Sequence, residues 1–409
     1  MPLVGTAAGG LLALADLWLE DRVRMPPAWT YSASTASSLL SGVAAAMVGL
    51  LGLVVTIGVL VVQMATGTLS PRFMRLWYRD RLQKLVLASF TATFVFSYAL
   101  LRRVGTGTVP DLGVTIAGIA VTLDLILLLL YLDRFVHTLR PVAVAAAMAR
   151  AGLRVIGRTE RATAESPAVR RPAPTAEPDL RVRSRGSGAI QAVHVHGLLR
   201  YATTHDLVCV LRHAVGDFVT QGGVLADVYG PVPPDAARRV RGMVALGPER
   251  TLEQDPAFAL RIIVDIAIRA LSPAVNDPTT ATQMLNYVGT MLVALGTLDL
   301  TGIGTRTDAG GAVRLLVPTR GWEDYLELGV GEIRQYGAGS RQTCRRLRAL
   351  LQDLEADVLP ANRPAVQRQL AVLDRVVMSS FADLEERRYV LTGDRQGVGG
   401  ASPPPDGTG

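Results

Sequence analysis

The chain has 409 residues, 49% hydrophobic and 19% charged, with a formal charge of +7 and a mean hydropathy of +0.29, too apolar for an ordinary soluble domain unless the excess is concentrated, as it is before Arg140. Lys84 is the single lysine, which excludes a GxxxxGKS/T phosphate loop, a Schiff-base lysine in the later part and a carrier lysine for biotin or lipoate. Two cysteines, Cys209 and Cys344, exclude a disulfide framework and a cysteine zinc knuckle, and suit a reduced, cytoplasmic setting.

Leu3–Leu19 is short, glycine-rich and interrupted by Asp16. It reads as a weak first span and not as a cleaved signal, because it lacks a basic start. Leu39–Met64 carries no charge over 26 residues, more than the roughly 20 needed to cross a bilayer as a helix. Leu82–Leu101, with Lys84 near its start, and Leu112–Leu132, interrupted by Asp124, complete four expected spans. Arg72, Arg75, Arg79, Arg81 and Lys84 crowd the second-to-third loop. The positive-inside rule then places that loop, both termini and everything after Leu132 in the cytoplasm of a bacterial inner membrane.

Small residues at helical spacing on the second span, Ser38/Gly42/Ala46 and Ala45/Gly49, allow close helix approach, within one subunit more readily than at an oligomer seam. Asp16, near a membrane boundary, reads as solvated. Asp124, nearer mid-span, is the candidate for a buried polar contact or an ion path, because a carboxylate in hydrocarbon is costly. Gln63, Ser70 and Arg72 could line a vestibule at the end of the second span. The alternative there is a helix end, with Ser70 before a Pro71 break and arginines meeting lipid phosphate.

The arginine-, proline- and alanine-rich stretch 141–188, clearest over Ile156–Gly188, reads as a basic flexible linker near anionic phospholipid. A small β unit follows over 189–232, with strand-like "AIQAVHV", "LVCVLR" and "VLADVYG", a short helix near Gly197–Thr204 and glycine punctuation. Its "GDFV…GG" pattern is similar to the hammerhead half of lipoyl and biotinyl domains. Without a lysine it would be a structural module. His194 and His196 fall on one face of the expected strand, with His205 and His213 nearby. No cysteine or acidic cluster completes a ligand set, so no metal and no cofactor are expected.

Residues 233–392 read as mainly helical. Asp255-Pro256 caps a helix on which Arg261, Asp265 and Arg269 form a polar seam at four-residue spacing among Phe258, Ile262, Ile263, Ile266 and Ile268. "SPAVNDP" ends that helix at Ser272-Pro273, and Asp277-Pro278 caps the next. Ser272, Asn276, Asp277 and Thr280, with Thr279 and Thr282, supply more polar groups than a joint requires. A ligand or interface role and a hydrogen-bonded junction both fit them. A strand "AVRLLVP" and helices near Trp322–Tyr336, Arg341–Leu359 and Pro364–Val390 follow, with a break at "QYGAGS". Residues 393–409 read as a disordered tail.

These residues resemble a family of bacterial predicted membrane proteins catalogued as a domain of unknown function, number twenty-two fifty-four. The resemblance rests on Gln63 with Ser70-Pro71-Arg72, "SGAIQAV", "HDLV", "GDFV", Arg250-Thr251 with Gln254-Asp255, "VDIAIRALSPAVNDPTTA" and "QYGAG". It implies a four-span membrane protein with a cytoplasmic C-terminal half, and no established activity. Family members usually carry Phe where Thr279 stands, and a longer first span.

The fold expected is thus a four-helix membrane bundle followed by a cytoplasmic α+β region. No GxSxG, HExxH or dinucleotide fingerprint occurs, so no enzyme is expected. The arginines cluster beside the membrane, where phospholipid is the nearer anion, and no nucleic-acid partner is expected. A homo-oligomeric channel or transporter with a cytoplasmic assembly or gating domain stands first. A non-transporting sensor or scaffold is the alternative.

Overall fold

A computed structural model describes residues 2–20, 22, 26, 29–68, 81–105, 109–138, 140–165 and 174–397. The chain divides into two compact units, Met1–Ala143 and Val144–Gly409.

The first unit holds α1 (Pro2–Glu20), α2 (Ala33–Thr68), α3 (Arg81–Leu101) and α4 (Asp111–Thr138). Each is long and apolar enough to cross a membrane. Apolar side chains lie on both sides of these helices: Leu40, Met47, Phe90 and Leu100 are buried together with Thr93, Ser97 and Asp124, whereas Val55, Leu125 and Leu129 are exposed. That is the distribution expected where the surrounding solvent is hydrocarbon and polar groups must be answered inside. Helix α3 packs against the other three. Gly5 and Gly9, one turn apart, bring α1 onto α3, because a Cβ on either would run into the carbonyl of Ala88 or Ala92. The small-residue contact therefore lies on the first span. On the second, Gly42 and Gly49 face open space, so the stripe expected there packs against nothing within this unit. Asp16 also departs from expectation. It is 2% exposed and sits 3.8 Å from the Arg103 guanidinium, a buried group next to a counter-charge and not a solvated one.

The second unit opens with α5 (Pro141–Glu165), where the linker was expected. Val144, Ala145, Met148, Ala149, Val155 and Ile156 are buried along one stripe of it. Alanine-rich and arginine-bearing, the segment has a low average hydropathy that hides this period. A Cβ on Gly152 would run into Met291 and lie 3.2 Å from the Ala259 methyl. The glycine thus sets how closely α5 approaches α8 (Pro256–Ala270) and α9 (Pro278–Gly296).

Strands β1 (Leu180–Arg183), β2 (Gly188–Val193), β3 (Val208–Leu211), β4 (Phe218–Val219), β5 (Val224–Tyr229), β6 (Val244–Gly247), β7 (Thr301–Thr307) and β8 (Val313–Gly321) make two sheets. One has the order β1-β5-β3-β8-β7 and the other β4-β2-β6. Only β3 and β8 pair in parallel, Cys209 opposite Leu315. This pairing carries the β region well past residue 232, because a parallel pair needs a long crossover. Here the crossover contains α7 (Ala236–Gly242), α8 and α9. Helix α6 (Val195–Thr204) packs against the sheet. Val182, Leu198, Cys209, Val228 and Leu315 share one core. Burial pushes the thiols of Cys209 and Cys344 up to about 11, so both stay protonated at neutral pH.

Helices α10 (Trp322–Tyr336), α11 (Arg341–Asp357), α12 (Arg363–Ser380) and α13 (Leu384–Val390) follow. The last expected helix is divided at Phe381, after which Asp383 caps α13 by accepting the Glu386 N–H at 2.8 Å. Residues 393–397, the start of the expected tail, pack back on the helices, and 398–409 lie outside the described residues. Arg345, 1% exposed, donates to the Thr392 carbonyl at 3.0 Å and lies 4.0 Å over the Tyr389 ring. Gln342 donates to the Gly397 carbonyl at 2.8 Å.

Replacing Gly152 with leucine overpacks the α5 contact and is expected to cost about 1–3 kcal/mol. Urea unfolding followed by circular dichroism checks this, with Gly157→Leu, which faces open space, as the matched control.

Candidate functional site

Of the candidate residues in the first unit, Asp124 and Gln63 are described, and they lie in different surroundings. Asp124 is 1% exposed, and its Oδ1 accepts the Ser89 hydroxyl at 2.5 Å across α3 and α4. Its Oδ2 is buried with no hydrogen-bond partner among the described residues. Gln63 is exposed on α2, so the two share no exposed face. Ser70 and Arg72 lie outside the described residues.

The polar seam of α8 is an ion-pair lattice between helices. Arg261 donates through Nε to Asp265 at 2.6 Å, and through both terminal nitrogens to Glu332 of α10 at 2.6 and 2.7 Å. The fork onto Glu332 first, and then Asp265, holds the guanidinium above its ordinary range. Arg269 is half-buried near the end of α8. The Arg261–Asp265–Glu332 cluster lies earlier on α8, eleven residues from Ser272 at its first member, about 16 Å along a helix, whereas Arg269 meets the joint through its carbonyl.

At the joint, most of the polar groups have local structural work. Ser272 donates to the Arg269 carbonyl at 2.7 Å, and its own carbonyl accepts the Asn276 N–H at 2.8 Å. Asn276 adopts φ +49°, a left-handed position that asparagine tolerates better than most residues. Asp277 caps α9, accepting the Thr280 N–H at 2.9 Å and its hydroxyl at 2.5 Å. Pro273, Ala274, Val275 and Asn276 are exposed. The segment is a helix stop, a turn and a cap on the surface.

A cavity of about 160 Å³ lies elsewhere in the second unit. Its walls come from the Ala214–Val215 turn, the Gln254–Pro256 cap, the end of α9 at Leu295–Leu300, strands β7 and β8, Tyr325 of α10 and Ile156 of α5. Leu298, Ile303, Val317 and Pro318 make it largely apolar, and Asp255, Asp299, Arg306 and Arg320 are its charged members. Polar contacts lock the frame. Gln254 clamps Val193 of β2, accepting its N–H at 2.9 Å and donating to its carbonyl at 3.3 Å. Arg250 donates to Asp255 at 2.7 Å while Asp255 caps α8 through the Phe258 N–H at 3.1 Å. Gly216, at φ +95°, leaves room for that pair: a Cβ there would lie 2.5 Å from the Asp255 carboxylate and 2.6 Å from Arg250. Asp217 accepts the Ala214 N–H at 2.9 Å and a terminal N–H of Arg320 at 3.3 Å.

Two cations of this cavity are incompletely answered. The Nε of Arg320 is buried with no acceptor among the described residues. Arg306 donates only to the neighbouring Thr305 carbonyl at 3.0 Å, and burial lowers its pKa. Burial likewise raises Asp255, against the opposing pull of Arg250, and raises Tyr325. An apolar cavity bordered by a few polar groups, several of them with displaced pKa values, has the composition of a small-molecule site.

The histidines do not converge. His194 lies at the start of α6 and His196 within it, both exposed, and not on one strand face as expected. Among the described residues, no group of three His, Cys, Asp or Glu side chains is placed to hold a metal ion.

The family of predicted membrane proteins DUF2254 matches residues 1–353. The chain belongs to this family. The uncharacterized protein MT1328 of Mycobacterium tuberculosis (strain CDC 1551 / Oshkosh) is 32% identical over 372 residues, covering 87% of this chain and 71% of the relative. The uncharacterized protein Mb1321c of Mycobacterium bovis matches to the same extent. No solved structure matches the chain. In this DUF2254 member, three of the motifs that carry the resemblance, "GDFV", Arg250-Thr251 and Gln254-Asp255, meet at the cavity frame. Arg306, Arg320 and Tyr325 went unread in the sequence. No spacing signal marks them, because they come from two strands and a helix that only the sheet brings together.

Asp255 supplies a pH prediction. Its folded pKa is raised above the ordinary 3.8. Its contribution to stability is therefore fully present below the unfolded value and is lost as pH rises through the folded value. Asp255→Asn should remove this component, so that on acidification through the range just above 3.8 the wild type gains stability relative to the variant. Urea unfolding of both proteins across that range checks the sign.

Proposed function

We propose that this protein is a non-enzymatic, membrane-anchored binding protein, in which the second unit takes up a small molecule and the four-helix unit holds it at the bilayer. The cavity between α9, β7, β8 and the Asp255 cap carries this reading: it is apolar, framed by locked polar contacts and bordered by incompletely answered arginines. The arginines of the second-to-third loop support a cytoplasmic location for the second unit, and the unfilled Gly42/Gly49 face of α2 supports self-association in the membrane. In the test, full-length protein in lipid nanodiscs is incubated with a bacterial small-molecule extract, and retained compounds are identified by mass spectrometry. Wild-type protein should retain a compound that Leu298→Trp, which fills the cavity, holds at least about tenfold less. Equal retention by the two proteins sinks the reading.

Conduction is the second reading, and Asp124 favours it, because a mid-span carboxylate with one oxygen unanswered is a costly arrangement. It expects ion or proton flux in proteoliposomes that Asp124→Ala abolishes. Absence of flux across salts and pH removes this reading.

A further inference from the structure

Resting on the binding reading above, we infer that the occupant of the cavity is a small organic monocarboxylate with an apolar body, its head seated on Arg320. The argument begins from what is unanswered. A guanidinium has five N–H donors and no acceptor, and its charge is lost under no ordinary condition. Arg320 gives one terminal N–H to Asp217 in an ion pair at 3.3 Å, a long bond, and its Nε is buried with no acceptor among the described residues. A buried charged donor without a partner is costly, more so than a neutral one. Arg306, on the neighbouring strand of the same sheet, meets only a backbone carbonyl, and no carboxylate pairs with it among the described residues. Burial works against its charge. Both arginines border one cavity, but Arg306 stands opposite Leu315, five residues from Arg320 on β8, so the head of the occupant is assigned to Arg320 and Arg306 adds positive charge farther along the rim.

The remaining residues narrow its chemistry. Asp255 and Asp299 also border the cavity, and Asp255 is already committed to Arg250. With Asp255 paired to Arg250 and Asp217 to Arg320, the rim carries little surplus positive charge, so a second negative charge on the occupant is penalised more than a first, which disfavours a phosphate dianion. A planar carboxylate suits the fork of Arg320, whose Nε–H and adjacent terminal N–H lie in one plane. The other wall residues, Leu295, Leu298, Ile303, Val317 and Pro318, offer nothing to a polar body and favour an aliphatic or aromatic one.

The test uses full-length protein in lipid nanodiscs, titrated calorimetrically with hexanoate, hexan-1-ol and hexylphosphate, with the heats of protein-free discs subtracted. Hexanoate should bind at least about tenfold more tightly than hexanol and no more weakly than hexylphosphate. Arg320→Gln should weaken hexanoate about tenfold while leaving hexanol unchanged, and Arg306→Gln should weaken it less. Arg320→Lys, which keeps the charge and removes the fork, should also weaken hexanoate and keeps the test decisive if Arg320→Gln fails to fold. Equal affinity for hexanoate and hexanol, both lost in Leu298→Trp, overturns the carboxylate assignment and leaves the binding reading standing. Tighter binding of hexylphosphate overturns the monoanion argument in the same way. No binding of any probe, with Leu298→Trp-sensitive retention from the extract intact, overturns the carboxylate assignment alone.

Discussion

The second unit depends on the burial of α8. Phe258, Leu260, Ile262, Ile263, Val264 and Ile266 are all buried in one helix, so it must be wrapped everywhere except along the half-buried stripe of Arg261, Asp265 and Arg269. Helices α5, α9 and α10 do the wrapping. The helix can carry charge only where a partner meets it, which is why Arg261 is held by Asp265 and Glu332. The same demand governs its start. Asp255 is 3% exposed and survives there because it caps the helix and pairs with Arg250.

The cavity is a by-product of that wrapping. The cap of α8, the end of α9 and the β7–β8 hairpin converge from different directions, and side chains extended from a sheet and from helix ends do not fill the corner between them. Corners of this kind are where proteins place ligands, since apolar walls and fixed backbone are supplied by the fold and only a few polar groups need to be added. Here those groups are arginines from adjacent strands. The exposed joint at 272–280 is the opposite case: rich in polar residues, with its bonding turned inward to the turn itself.

In the first unit four helices are long and apolar enough to cross a membrane, and their outward faces are largely apolar. Polar side chains go to helix crossings, Asp124 to Ser89 and Asp16 toward Arg103, and the closest crossing is bought with the two smallest residues available, Gly5 and Gly9.

The order of elements was largely legible in the chain: apolar runs long enough to span, Asp-Pro caps at 255 and 277, and a proline stop at 273 are local signals, and local signals survive folding. Less legible was α5, whose alanine stripe averages to nearly neutral hydropathy, and the reach of the sheet, because the pairing of Cys209 with Leu315 joins residues more than a hundred positions apart. The site was least legible of all. Sequence determined that Asp255 would cap a helix and that Asn276 and Asp277 would make a turn, since both follow from short-range backbone chemistry. Only the tertiary structure decided that Arg306 and Arg320 stand beside one cavity with donors to spare, because whether a charged group is answered depends on which neighbours arrive from elsewhere in the chain.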